Sequence, residues 1–191
     1  MPRSAEFDTD SVLCAAMEKF RHNGFAGTSI KALEQATGLS SGSLYNSFGD
    51  KDAIFTRALA HYIDVVAVGR ISQHLDDKPP LEGLLSYFLS LLEEPGGGSS
   101  GCLLTNSAVE FGSGDTVARP GVQAGLRLQE AALHDAVRRL LPTATDTAER
   151  AQKLLALYQG VLVLVRFGHP KEALRAMILN ELNQLGDNCN D

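Results

Sequence analysis

A chain of 191 residues, 44% hydrophobic and 21% charged, carries enough apolar material to bury a sizeable core, which excludes wholesale disorder. Cys14, Cys102 and Cys189 lie far apart with no C-x-x-C pair, and the five histidines show no H-x-x-x-H spacing, so a disulfide framework and a zinc ribbon are excluded. The net charge of -6 excludes nucleic-acid binding by bulk attraction, and residues 1–60 do not offset it, since six Lys/Arg minus seven Asp/Glu leaves -1. No metal and no cofactor are expected. The longest apolar run, Val161 to Val165, ends at Arg166, and the N-terminus lacks a signal-peptide core, so no membrane partner and a cytoplasmic location are expected.

In chain order the periodicity is helical throughout, which predicts an all-α fold. From Asp10 to Asn23, Leu13, Ala16, Met17 and Phe20 form one apolar stripe, preceded by Asp8, Thr9 and Asp10 as caps and stopped by Asn23-Gly24. A short second helix, capped by Thr28 or Ser29, runs from about Ser29 to Thr37, with Ile30, Leu33 and Ala36 inward and Gly38 ending it. Ser40 or Ser41 caps a third of barely two turns, whose Leu44 and Phe48 share one face. A fourth opens at Asp50 and continues into the Ile71 to Leu75 region as a connector. After Asp76 to Pro80 breaks the chain, Leu81, Leu84, Leu85, Phe88, Leu89 and Leu92 mark a fifth. Glu94 to Gly101 reads as a flexible loop; it fails the phosphate-cradle pattern at Cys102-Leu103. Helices over about Cys102 to Phe111, Pro120 to Leu141, Thr147 to Phe167 and Pro170 to Leu185 complete a count of about nine.

Two short helices joined by a Gly-containing turn, over Thr28 to Lys51, form a helix-turn-helix pattern. With Leu44 and Phe48 inward, Ser41, Gly42, Ser43, Tyr45 and Asn46 make a small polar surface without acids, on which nothing repels phosphate. Gly42 and the serines allow close approach to a duplex, Asn46 can pair with a base edge and Tyr45 can reach a phosphate oxygen. Lys51 lies at the start of the next helix, where a cation is useful beside an anion. Gly24 to Phe55, G-F-A-G-T-S-I-K-A-L-E-Q-A-T-G-L-S-S-G-S-L-Y-N-S-F-G-D-K-D-A-I-F, resembles the N-terminal DNA-binding domain of the TetR family of repressors. The resemblance implies an N-terminal three-helix DNA-binding domain (1–50) and a larger helical effector-binding and dimerisation domain (51–191). It implies a homodimer on a palindromic double-stranded DNA operator, answering to a small-molecule effector. Carried over, Thr28 and Ser29 would contact phosphate, Ser40, Ser41, Gly42 and Ser43 would meet the groove, and Tyr45, Asn46 and Lys51 would grip the DNA. Asn46 departs from the histidine, arginine or larger residue that many members carry.

For the effector pocket, Tyr62, Phe88, Phe111 and Tyr158 are candidate apolar walls, with Asn106 and Arg166 as polar handles and Cys102 beside them. Leu154 to Phe167 is apolar almost all round, as a central or partner-covered helix is, and with the final helix it could form half of an intersubunit four-helix bundle; Leu155, Tyr158, Leu162, Leu174, Met177 and Ile178 are the expected interface. Cys102 offers an alternative, a repressor that senses oxidants or electrophiles through a thiol at a helix N-terminus after a mobile loop. No nucleophile-base-acid arrangement or cofactor fingerprint suggests an enzyme.

Overall fold

The computed structural model describes residues 7–93 and 98–187, among which nine helices and no strand occur. α1 (Thr9–Asn23) begins where the Asp8 carboxylate accepts the Asp10 N–H at 3.2 Å, and it buries Val12, Ala16, Met17 and Phe20. Val12 rather than Leu13 leads the inner stripe, since Leu13 is only half-buried. α2 (Ile30–Thr37) is capped by Ser29, whose hydroxyl accepts the Ala32 N–H at 3.1 Å, and it buries Leu33. α3 (Ser41–Phe48) starts three residues on, capped by Ser40 Oγ accepting the Ser43 N–H at 3.2 Å, and it buries Leu44 and Phe48.

α4 is one long helix over residues 51–76, capped by Asp50, whose carboxylate accepts the Ala53 N–H at 2.8 Å. It is α-helical over Lys51–Tyr62 and Val68–Ile71 but wound as π-helix over Ile63–Ala67 and Ser72–Asp76. Its first half packs along α1 and buries Ile54, Phe55, Ala58 and Leu59. Burying each of Ile54, Phe55 and Leu59 stabilises the N-terminal head, α1 to α3 with the first half of α4, by roughly 1.5–3 kcal/mol. The expected boundary at residue 50 therefore cuts through a core that α1 to α3 share with α4.

The body is α5 (Pro80–Leu89, continued by a 3-10 turn, Ser90–Leu92), α6 (Leu103–Phe111), α7 (Arg119–Leu140), α8 (Thr147–Phe167) and α9 (Lys171–Asp187). α7 packs between α5 and α8, α9 lies on α5, and α6 bridges α1 to α7 and α8. α6 and α7 meet at Gly125, where a Cβ would stand 2.7 Å from Leu104 Cδ1. The flexible loop read from Gly and Ser composition falls partly outside the described residues (94–97). The rest is ordered: Gly98–Ser100 is a 3-10 turn packed on α8, with Gly98 and Ser100 buried.

The expected subunit interface requires correction. Tyr158, Leu162, Leu174 and Ile178 are buried inside the single chain, and only Leu155 and Met177 remain half-buried. α8 has an outer stripe of a different register, Gly160, Val163, Leu164 and Phe167, at i, i+3, i+4 and i+7. Phe167 is 88% exposed, and Val109 of α6, 73% exposed, lies beside Val163 and Leu164.

Candidate nucleic-acid interface and effector cluster

α3 stands on the head with its apolar side anchored by Leu44 and Phe48 and its other side in solvent. Gly42, Tyr45, Asn46 and Ser47 are exposed, and no acid lies on the helix. Ser40 is exposed, while Ser41 and Ser43 are half-buried with the two hydroxyls of Ser40 and Ser43 3.1 Å apart. The Glu34 carboxylate is turned into the connecting turn, where it accepts the Ser41 N–H. Of the first N–H groups of α3, those of Ser41 and Ser43 are thus occupied, while that of Gly42 has no intrahelical partner and faces outward with the positive end of the helix. A Cβ on Gly42 would meet only Ser40 Oγ, at 3.9 Å, so the fold itself does not require glycine there.

Around this edge, Ser29 is exposed; its capping role uses a lone pair and leaves its hydrogen to donate. Lys51 is held over the Phe25 ring with Nζ 4.2 Å from the centroid, which fixes its stem beside the α4 N-terminus. Thr28 departs from the expectation. It is fully buried, and its hydroxyl donates to the Gly24 carbonyl at 2.6 Å, so it holds the α1–α2 turn together and cannot reach phosphate with its side chain. Two exposed groups of the same region escaped the sequence reading: Ser47, on the α3 outer side, and Lys31, in the first turn of α2. The signal for Lys31 was its position two residues after the capping Ser29.

The head is tied to the body by a compact set of hydrogen bonds. The Glu110 carboxylate of α6 accepts the Phe25 N–H at 2.8 Å and the Ala26 N–H at 2.7 Å, Arg21 Nε donates to the Gly101 carbonyl at 2.7 Å, and Asn106 Nδ2 donates to the Arg21 carbonyl at 3.1 Å. A seam of rings accompanies them: Phe25, Phe55 and Phe111 lie 5.2–5.3 Å apart, with Phe20 edge-on to Phe55 at 5.1 Å.

The expected effector residues therefore divide. Tyr62, Phe88, Cys102 and Tyr158 do meet in the body: Tyr62 Oη donates to Cys102 Sγ at 3.1 Å, and Phe88 stands edge-on to Tyr158 at 5.7 Å. Phe111 belongs to the ring seam instead, and Asn106 and Arg166 line a surface groove between head and body together with Asn23, Gly24 and Glu110. Arg166 is exposed, so water satisfies it. Arg70, His74 and Tyr87, which the sequence reading missed, join the buried cluster. Burial raises the pKa of the Tyr62, Tyr87 and Tyr158 hydroxyls, keeping them protonated, and burial followed by the charges of Arg70 and Lys78 lowers that of His74. Cys102 itself is only 3% exposed, which removes the premise of a reactive thiol at an open helix N-terminus.

Residues 12–58 match the family model described as bacterial regulatory proteins, tetR family. This region is a TetR-family DNA-binding domain. Over 184 residues the chain is 28% identical to the HTH-type transcriptional repressor ComR of Escherichia coli strain K12, covering 90% of its own length and 86% of ComR. It is 26% identical to the HTH-type transcriptional repressor BdcR of the same strain, covering 91% and 87%. Its fold matches that of the TetR family transcriptional regulator CifR, solved as a cysteine mutant with 26-bp double-strand operator DNA, with a TM-score of 0.80 and 28% identity over 96% of this chain and 98% of that one. Among the described residues no helix is long and apolar enough to cross a membrane.

Proposed function

We propose that the protein is a transcriptional repressor that binds a palindromic operator as a homodimer and is released by a small-molecule effector. The observation that carries this reading is the division of α3 into an anchored side, Leu44 and Phe48, and an acid-free outer side of Gly42, Tyr45, Asn46 and Ser47. Ser29, Ser40, Ser41, Ser43 and Lys51 support that edge with hydroxyl and ammonium donors suited to phosphate. The net charge of -6 is compatible with this, because the contacts come from a local edge and from helix N-termini.

Pairing is supported by the outer stripe of α8. Gly160, Val163, Leu164 and Phe167, with Val109, form an apolar face that a second copy covers by two-fold symmetry. In this reading residues 1–50, completed by the first turns of α4, read DNA, and the remainder binds effector and partner. Two heads must then seat about one helical turn, roughly 34 Å, apart. A small pivot of α4 separates them. The relatives named as repressors and the CifR complex with operator DNA favour repression. A gel-shift with the DNA flanking its own gene tests the reading: a discrete shifted species that survives nonspecific competitor DNA is expected, and none at any concentration refutes it.

A further inference from the structure

The buried cluster in the body is rich in donors and poor in acceptors. Tyr87 and Tyr158 stack at 5.0 Å, and Arg70 lies over the Tyr87 ring with Cζ 5.4 Å from its centroid. Arg70 Nη2 donates to Ser90 Oγ at 2.9 Å and to the Tyr87 carbonyl at 3.3 Å, but Arg70 Nε is out of solvent and has no hydrogen-bond partner. The Tyr87 hydroxyl is equally buried, on a residue only 1% exposed, and has no partner within 3.5 Å; the Tyr158 hydroxyl is the group that acts on it from farther away. Among the described residues no carboxylate pairs with the guanidinium; the groups acting on its charge are Tyr158, Tyr87 and Tyr62. Arg70 Nε and the Tyr87 hydroxyl are held from water with no acceptor within hydrogen-bond distance, and an anionic oxygen is the complement of both.

The α4 segment that carries Arg70 is held to the core mainly by Ile63, Val66 and Ile71, which are only partly buried. Val68–Ile71 contributes no buried residue, Ile63–Ala67 buries only Ala67, and Val65 and Val68 point to solvent. π-turns flank the segment on both sides, and rewinding either one to α shifts Arg70 relative to the tyrosines. The first turn buries only Ala67, so opening there costs less than at the second, which buries His74 and Leu75.

We propose that this cluster is the effector site and that the effector is a small organic monocarboxylate, its carboxylate held by Arg70 Nε and the Tyr87 hydroxyl and its apolar part by the tyrosine rings and Phe88. This rests on the reading of the protein as an effector-released repressor and names the chemistry of that effector. The cluster has a direct route to the head. Tyr62 is bonded to Cys102, which precedes α6, and the same helix carries Asn106 and Glu110, whose side chains grip Arg21 and the α1–α2 turn.

The chain has no tryptophan and four tyrosines, three of them in this cluster, so tyrosine emission reports on the site. The full-length protein is titrated with acetate, benzoate and octanoate and with the matching primary amides, following tyrosine emission, melting temperature and release of a labelled operator fragment. At least one carboxylate is expected to raise the melting temperature, alter the emission and release DNA, with its amide binding at least about tenfold more weakly. Arg70→Gln weakens that carboxylate by about tenfold to a hundredfold and abolishes the preference over the amide. Tyr87→Phe removes a hydroxyl with no partner within 3.5 Å, so it shifts the unliganded melting temperature by no more than about 2 °C while weakening the carboxylate; this separates binding from folding. Equal binding of carboxylates and amides, or undiminished carboxylate binding by both variants, overturns the site. Carboxylate binding that leaves operator affinity unchanged overturns the effector assignment alone, whereas an unliganded protein that binds no flanking DNA overturns the repressor reading.

Discussion

Gly42→Ala separates what the fold needs from what the DNA needs. The residue occupies the second position of α3 with a helical backbone of negative φ, and a Cβ would touch nothing closer than Ser40 Oγ at 3.9 Å. Alanine should therefore be accommodated and gain helix propensity, about 0.5 kcal/mol so close to a helix end. For a chain of this length that raises the melting temperature by about 1–2 °C. Against DNA the same methyl group sits on the outermost turn, next to the one free N–H of the helix start. If α3 seats against the duplex there, the methyl separates the surfaces and removes a backbone contact, a loss of about 1–3 kcal/mol, or roughly five- to 150-fold in affinity. Circular dichroism melting at 222 nm and anisotropy of a labelled operator fragment measure the two effects on one preparation. An alanine variant that binds DNA as tightly as the unaltered protein would refute the placement of the α3 N-terminus in the groove, and one that melts much lower would refute the reading of Gly42 as unneeded by the fold.

Three further substitutions follow from the geometry. Phe167→Asp places a charge on the exposed α8 stripe without touching the core, so the protein should sediment as a monomer with native helicity and lose about a hundredfold in operator affinity; an unchanged dimer would remove that face from the interface. Glu110→Ala deletes the acceptor for the Phe25 and Ala26 N–H groups, both reachable by water, and should cost about 1 kcal/mol and lower the melting temperature by about 2–4 °C, with faster hydrogen exchange at both amides. His74 has a pKa lowered chiefly by burial and then by Arg70 and Lys78, so its neutral form is favoured in the folded state. Its contribution is fully present above the unfolded histidine value of about 6.5 and is lost as pH falls through the lower folded value. The melting temperature should drop on acidification from about pH 7 to 5, and His74→Gln should flatten that drop; a variant with the same slope would show that His74 does not titrate with unfolding.

The head was legible because its local chemistry is explicit. Ser29, Ser40 and Asp50 cap where polar residues precede apolar spacing, and Gly24, Gly38 and Gly49 stop each short helix. Thr28 and Ser29 look alike as capping candidates, and only the packed turn decides that the first faces in and the second out. In α8 apolar residues occur on every side, so the sequence could not say which stripe the chain covers itself; Tyr158 and Leu162 went inward and Val163 and Phe167 outward. Arg70 was hidden for a geometric reason. Each π-turn in α4 uses more residues per turn than an α-helix, so the 3.6-residue period loses its phase after Tyr62 and no longer predicts which side chains meet. Tyr87 was passed over because a tyrosine inside an amphipathic helix reads as plain core, and the lack of a close partner for its hydroxyl becomes visible only once its neighbours are known.

DNase I footprinting of the DNA flanking its own gene tests the central claim most directly, because it reads the contact, the pairing and the spacing together. Two protected half-sites related by a dyad, their centres about 10 base pairs or a small multiple of one helical turn apart, with the protection lost in Phe167→Asp, are the predicted result. Uniform or absent protection, or a single unpaired site that survives the loss of the dimer, would contradict it.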